Sequence, residues 1–98
     1  MPATSKREIA TRIAKKVDMR QKPVAEIIQL FLDEIISELA NGNRLEFREF
    51  GIFQPVIKKA RKGRNPRTGA SVDVPAKAKV HFKVGRKMKE TMRHVKIV

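Results

Sequence analysis

Apolar residues recur at two different periods along this chain, and the change of period divides it. Ile9, Ile13 and Val17 follow one another at i, i+4 and i+8, with Ala10 and Ala14 beside them. That single stripe predicts a helix of about three turns, with Arg7, Arg12, Lys15 and Lys16 on the other side. Ser5-Lys6-Arg7-Glu8 fits a capping box, with Ser5 as N-cap and Glu8 reaching back. Asp18 to Lys22 reads as a short polar link, and Pro23 suits the first turn of a second helix. That helix is expected to run to Ala40 and to end on Asn41-Gly42, a glycine stop signal.

The second helix is apolar on more than one stripe: Val24, Ile27, Ile28, Leu30, Phe31, Leu32, Ile35, Ile36 and Leu39. The first helix and a small sheet cover one side only. The uncovered side predicts a symmetric dimer in which this helix packs on its mate. The alternative is a sheet that wraps the helix broadly.

Beyond Gly42 the period falls to two. Arg44 to Arg48 alternates as a half-buried strand does, Glu49 to Phe53 makes a tight reversal, and Gln54 to Lys59 starts the next strand. Lys79 to Val84 reads as a third strand of the body. Gly85 breaks it, and Arg86 to about His94 forms a short basic helix with Met88 and Met92 on one side. The alternating tail Val95 to Val98 has no assigned place. Phe50, Phe53 and Phe82 are expected to pack rather than to stack on bases, because a small core needs its few aromatics. With Ile28, Phe31, Leu32 and Ile35 they make up the expected dimer core.

Arg61 to Gly69, RKGRNPRTG, has little to bury. Its Asn65-Pro66 step marks a chain reversal, Pro66 pre-setting φ and Gly69 free to turn left-handed. Lys58, Lys59, Arg61 and Lys62 lead in, while Ser71, Asp73, Pro75 and Lys77 alternate with small apolar residues on the way out. The pattern predicts a two-stranded ribbon that leaves the body with a basic, proline-tipped turn at its end. An ordinary surface hairpin with a solvated charge run is the plainer alternative.

Charge sharpens the picture. The formal charge of +13 on 98 residues is sorted: residues 1–25 carry +5, residues 26–49 carry −4 and residues 50–98 carry +12. Solubility alone needs no such sorting, so one face is expected to meet a polyanion, with nucleic acid the leading candidate and a membrane surface or heparin the less common ones. Subtracting the ribbon leaves a core of marginal size, and no cysteine is present to supply disulfides. No apolar run is long enough to span a membrane and no signal peptide is visible, so a soluble, cytoplasmic protein is expected. His81 and His94 lack partners at metal-ligand spacing, and Asp33 and Glu34 read as a solvated helix edge. Gly63 to Gly69 lacks the Lys-Ser/Thr ending of a P-loop, and no nucleophile motif occurs. Neither an enzyme nor a cofactor is expected.

Taken together, the order of elements, Gly63-Arg64-Asn65-Pro66-Arg67-Thr68-Gly69, Phe50-Gly51-x-Phe53 and Phe82-Lys83-x-Gly85 resemble the bacterial HU/integration host factor proteins over about Ser5 to Arg93. The resemblance implies an α+β fold: a single HU-like domain over residues 1–98 that forms an intertwined dimer. Residues 1–42 would be the helical dimerisation part, residues 43–85 a three-stranded antiparallel sheet with a protruding arm at about 55–77, and residues 86–98 the last helix and tail. The implied partners are double-stranded DNA and a second chain, either a copy of itself or a paralogue, without membrane or small-molecule substrate. The implied function is a histone-like architectural protein of the nucleoid, bending DNA from the minor groove with little sequence preference. Pro66 matches the family's intercalating proline, and Arg64 and Asn65 match positions that reach base edges. Lys58, Lys59, Arg61, Lys62, Arg67 and Lys77 would grip the backbone along the arm, while Lys83, Arg86, Lys89 and Lys6 would hold flanking duplex.

Three features depart from the family pattern, one of them the tail after Arg93, which has no clear family counterpart. Val84 stands where proline is usual, and Glu49 where a small residue is usual. A site-specific bender like integration host factor is the main alternative, for which Arg48 is a candidate contact; as a plain reading, Arg48 is a solvent-facing strand residue. A basic RNA-binding protein would share the charge but has no reason for proline at an arm tip.

Overall fold

The computed structural model describes residues 2–95, in the order α1 (Lys6–Lys16), α2 (Gln21–Ala40), β1 (Leu45–Phe47), β2 (Gly51–Lys58), β3 (Arg61–Arg64), β4 (Ser71–Val74), β5 (Lys77–Val84) and α3 (Arg86–Met92). Lys96 to Val98 of the unassigned tail lie outside the described residues. The fold is α+β, and the chain divides into two compact units between Ser37 and Glu38.

In the first unit Ser5 caps α1 as expected, its hydroxyl oxygen accepting from the Glu8 amide at 3.2 Å. The Glu8 carboxylate faces the Ser5 hydroxyl at 3.5 Å and Arg12 at 3.9 Å. Asp18, at φ 55°, closes the helix: Met19 N–H bonds to Ala14 O at 2.9 Å and Asp18 N–H to Lys15 O. A short polar side chain tolerates this left-handed conformation better than most. The link is therefore shorter than expected, since α2 starts at Gln21 rather than Pro23. Pro23 still falls in the first turn, where its missing N–H would have had no partner.

The buried face of α1 also differs from the reading of its stripe. Ala10 and Ala14, with Val24 of α2, form the buried core, and Ile13, Ala25 and Ile28 pack against it. Ile9 is 42% and Val17 52% exposed. Small side chains let the two helices approach closely, which turns the larger flanking residues outward. On α2, Ile27, Leu30, Phe31, Leu32 and Ile36 are all exposed, Ile36 to 66%, while Ile28 and Ile35 are half-buried.

In the second unit α2 ends in a Schellman motif: Asn43 N–H bonds to Glu38 O and Gly42 N–H to Leu39 O, both 3.0 Å, with Gly42 at φ 82°. Three antiparallel strands follow in the order β1-β2-β5, and β3-β4 form a separate two-stranded ladder. Phe47 meets Phe50 and Phe53 edge-on, and Phe82 lies tilted against Phe50 and Phe53, its ring centre 4.6 Å from that of Phe53. Gly51 is buried beneath this cluster; a Cβ there would lie 2.5 Å from the Phe82 ring.

The β1–β2 reversal and α3 are fastened together. Gly85 N–H donates to Phe50 O at 2.8 Å, and Lys87 N–H to Glu49 O at 3.1 Å. Glu49 sits at φ 67°, a conformation that glycine adopts at least cost. Val84, at the end of β5, pairs with Gly51 and leaves the turn into α3 intact.

Candidate nucleic-acid interface

The hairpin that carries the basic residues keeps one register from body to tip. Gly51 pairs with Val84 and Lys58 with Lys77 in the body; Arg61 pairs with Val74 and Arg64 with Ser71 in the ribbon. Between these ladders lie Lys59-Ala60 and Pro75-Ala76, outside either sheet. Pro75 has no N–H to give, which suits an interruption of the ladder. The alignment of partners is the same on both sides of the gap, so no residue slips and the faces stay in phase.

Residues directly opposite one another in an antiparallel pair share a face, and alternate residues along a strand share it too. Lys58, Lys77, Lys79, His81 and Lys83 therefore fall on one face of the body sheet, in phase with Lys62, Arg64, Ser71 and Asp73 of the ribbon. The other face holds Phe53, Pro55, Ile57, Val80 and Phe82 in the body, and Gly63, Val72 and Val74 in the ribbon. A Cβ on Gly63 would meet the Val74 and Val72 methyl groups at 3.3 and 3.6 Å, so the valines close over this glycine. Lys58 directly opposite Lys77 is a repulsive pair. Its repulsion is relieved when a polyanion lies across both.

The tip is built by the side chains that its sequence supplies. Asn65 N–H bonds to Ala70 O at 2.9 Å and Gly69 N–H returns to Asn65 O at 2.8 Å, with Gly69 at φ 72°. Asn65 Oδ1 accepts from the Arg67 amide at 2.9 Å, and Thr68 Oγ1 from the Ala70 amide at 3.2 Å. These bonds hold Pro66 exposed at the apex, between exposed Arg64 and Arg67.

The remaining expected residues lie elsewhere. Lys59 is in the gap and Arg61 begins β3 on the valine side. Arg86 and Lys89 belong to α3, where Arg86 Nε pairs with Glu90 at 3.3 Å. Lys6 is in the first unit, its Nζ donating to Gln29 Oε1. Arg48 sits in the turn after β1 rather than in the strand, and lines an apolar groove of about 450 Å³ with Phe50, Met88 and Met92. Lys79 and His81 share a face with Lys77 and Lys83, as the alternation along β5 already implies. Among the described residues no group of His, Cys, Asp and Glu could hold a metal ion, and no helix is long and apolar enough to cross a membrane.

The profile of a family described as Bacterial DNA-binding protein matches residues 4–93. The chain is 42% identical over 90 residues to integration host factor subunit alpha of Mannheimia haemolytica, covering 92% of this chain and 91% of that one. Among solved structures it is similar to HU in an Anabaena HU–DNA cocrystal, with a TM-score of 0.80 and 27% identity, covering 94% of this chain and 100% of that one. An HU mutant from Thermotoga maritima is similar at a TM-score of 0.65 and 27% identity, covering 91% and 99%.

Proposed function

This chain belongs to the bacterial DNA-binding protein family of HU and integration host factor, and from that premise we propose that it is a nucleoid protein that bends duplex DNA from the minor groove. The family is architectural rather than enzymatic, and its members act as dimers. The observation that carries the proposal is the in-phase cationic face from Lys83 to Arg64, ending on a hydrogen-bonded turn with Pro66 at its apex. A chain of phosphates can follow such a face, and electrostatic attachment of this kind is indifferent to sequence. Pro66 then acts as the wedge. A rigid apolar ring without an N–H enters between base pairs without stranding a donor. Unstacking costs about a few kcal/mol per step, offset by contacts that bent DNA makes with Lys83, Arg86, Lys89 and Lys6.

Two chains form the working unit in this reading. Ile27, Leu30 and Ile36 are 58%, 64% and 66% exposed on α2, more apolar surface than a stable lone chain of this size leaves in water. Burying the exposed part of each contributes about 1–2 kcal/mol. A homodimer in the cytoplasm is the simplest assembly. Site-specific bending is the second reading, favoured by the 42% identity to a protein named integration host factor subunit alpha.

Pro66→Ala tests the wedge. The variant should keep the dimer and most of its salt-dependent affinity but lose the approach of duplex ends read by fluorescence energy transfer. Bending that survives the substitution removes Pro66 from this role. Competition by a defined host-factor site against random duplex of equal length separates the two readings.

A further inference from the structure

We infer that Asp73 is the residue by which the arm discriminates among minor grooves, turning it away from uninterrupted A·T runs and admitting those interrupted by G·C. The inference rests on the reading that the arm enters the minor groove, and it assigns Asp73 a part in that site.

Asp73 is the only carboxylate between Glu49 and Glu90, a stretch that holds twelve lysines and arginines. Its position within the arm is telling. On β4 it stands directly opposite Lys62, one alternation inward from the Arg64–Ser71 pair, on the face that carries the arm's cations. It is exposed, and although Lys62 stands opposite, it makes no ion pair among the described residues. The opposite face, where a carboxylate would be turned away from those cations, is taken by Val72 and Val74 closing over Gly63. Hence the face that meets DNA through Lys62 and Arg64 brings Asp73 with it.

An ionised carboxylate only accepts hydrogen bonds. Along A·T pairs the minor-groove floor presents only acceptors, adenine N3 and thymine O2; guanine N2 adds the one donor available in this groove. Contiguous A·T runs also narrow the groove and deepen its negative potential. Both properties act against Asp73 on A·T runs, and one of them favours it at G·C. Arg64, the diagonal neighbour of Asp73 on β3 at about 7–8 Å, has the opposite preference. The arm therefore pairs a cation suited to narrow grooves with an anion that limits how narrow and how A·T-rich they can be.

The test titrates wild type, Asp73→Asn and Asp73→Ala by fluorescence anisotropy against two short labelled duplexes, one with an uninterrupted A·T centre and one with an alternating G·C centre. Both variants should gain at least about fivefold more affinity for the A·T duplex than for the G·C duplex, the discrimination of a single base-edge contact. Equal gains on the two duplexes overturn the inference, because removal of charge alone then accounts for them. No gain on either overturns it too, since Asp73 would then face away from DNA. Displacement of wild type from the A·T duplex by netropsin reports on the underlying reading. If netropsin competes and the A·T to G·C ratio is unmoved, the role of Asp73 fails alone; if netropsin does not compete, the minor-groove reading fails with it.

Discussion

Gly85→Ala should be a damaging small substitution in the second unit, for a reason unrelated to glycine's conformational freedom. Gly85 has φ −80° and ψ 172°, values that alanine adopts readily. Space is what it lacks: a Cβ would lie 2.6 Å from the carbonyl carbons of Glu49 and Phe50 and 2.7 Å from Glu49 O. These are backbone atoms, and the bonds Gly85 N–H to Phe50 O and Lys87 N–H to Glu49 O draw them in. Relief requires that α3 and the β1–β2 turn part. Overpacking contributes about 1–3 kcal/mol, and weakening the two hydrogen bonds about 1 kcal/mol each. A total of about 3–5 kcal/mol corresponds to about 12–40 °C in Tm for a chain of this size. Gly42→Ala provides the control, because Gly42 has φ 82° with nothing within 4 Å of its Cβ position. Only the left-handed conformation then costs, at about 1–2 kcal/mol.

Thermal unfolding by far-ultraviolet circular dichroism, at one fixed protein concentration since the Tm of a dimer depends on it, compares the two. A second readout follows from the cations on α3. If the helix is displaced, Arg86 and Lys89 of both chains leave the DNA and the log–log salt slope of binding becomes shallower by about 3.6, at about 0.9 per phosphate contact. Gly85→Ala no more destabilising than Gly42→Ala refutes the steric reasoning. A large loss of stability with an unchanged salt slope refutes the link from this contact to the DNA flanks.

Glu49→Gly should act in the opposite direction. Glu49 holds φ 67°, and relieving that strain stabilises the fold by about 1 kcal/mol; urea midpoints measure it, and a midpoint that stays put or falls counts against strain there. Leu30→Asp and Ile36→Asp probe the assembly. In a lone chain exposed sites such as these tolerate substitution within about 0.5 kcal/mol, whereas two chains packed through α2 should separate, and sedimentation that still finds a dimer rejects α2 as the interface.

Much of the fold was written in its periods. The change from a spacing of three or four to a spacing of two places the helices and strands, and Asn41-Gly42 marks the stop of α2 that the Schellman bonds realise. Where the reading went astray, side-chain size or backbone geometry had outweighed pattern. Ile9 and Val17 are the more apolar residues, yet Ala10 and Ala14 are buried, because helix separation is set by the smallest residues in contact. Glu49 carries no mark of a left-handed turn, since glutamate rarely adopts one. Of the interface, the arm was legible from Asn65-Pro66 and its flanking cations. The shared face of Lys79 and His81 with Lys62 and Arg64 was not, because it depends on partners continuing unslipped across a gap with no ladder.

That unslipped alignment restricts how such a finger can change length. Side chains reverse sides at every step along a strand. Adding one residue to each strand at the Lys59-Ala60 and Pro75-Ala76 gap would carry Pro66 further out but turn Lys62 and Arg64 to the back of the hairpin relative to Lys77. Two residues in each strand restore the orientation. Reach is therefore adjustable only in increments of four amino acids, and a half-increment yields a longer finger whose charges point the wrong way.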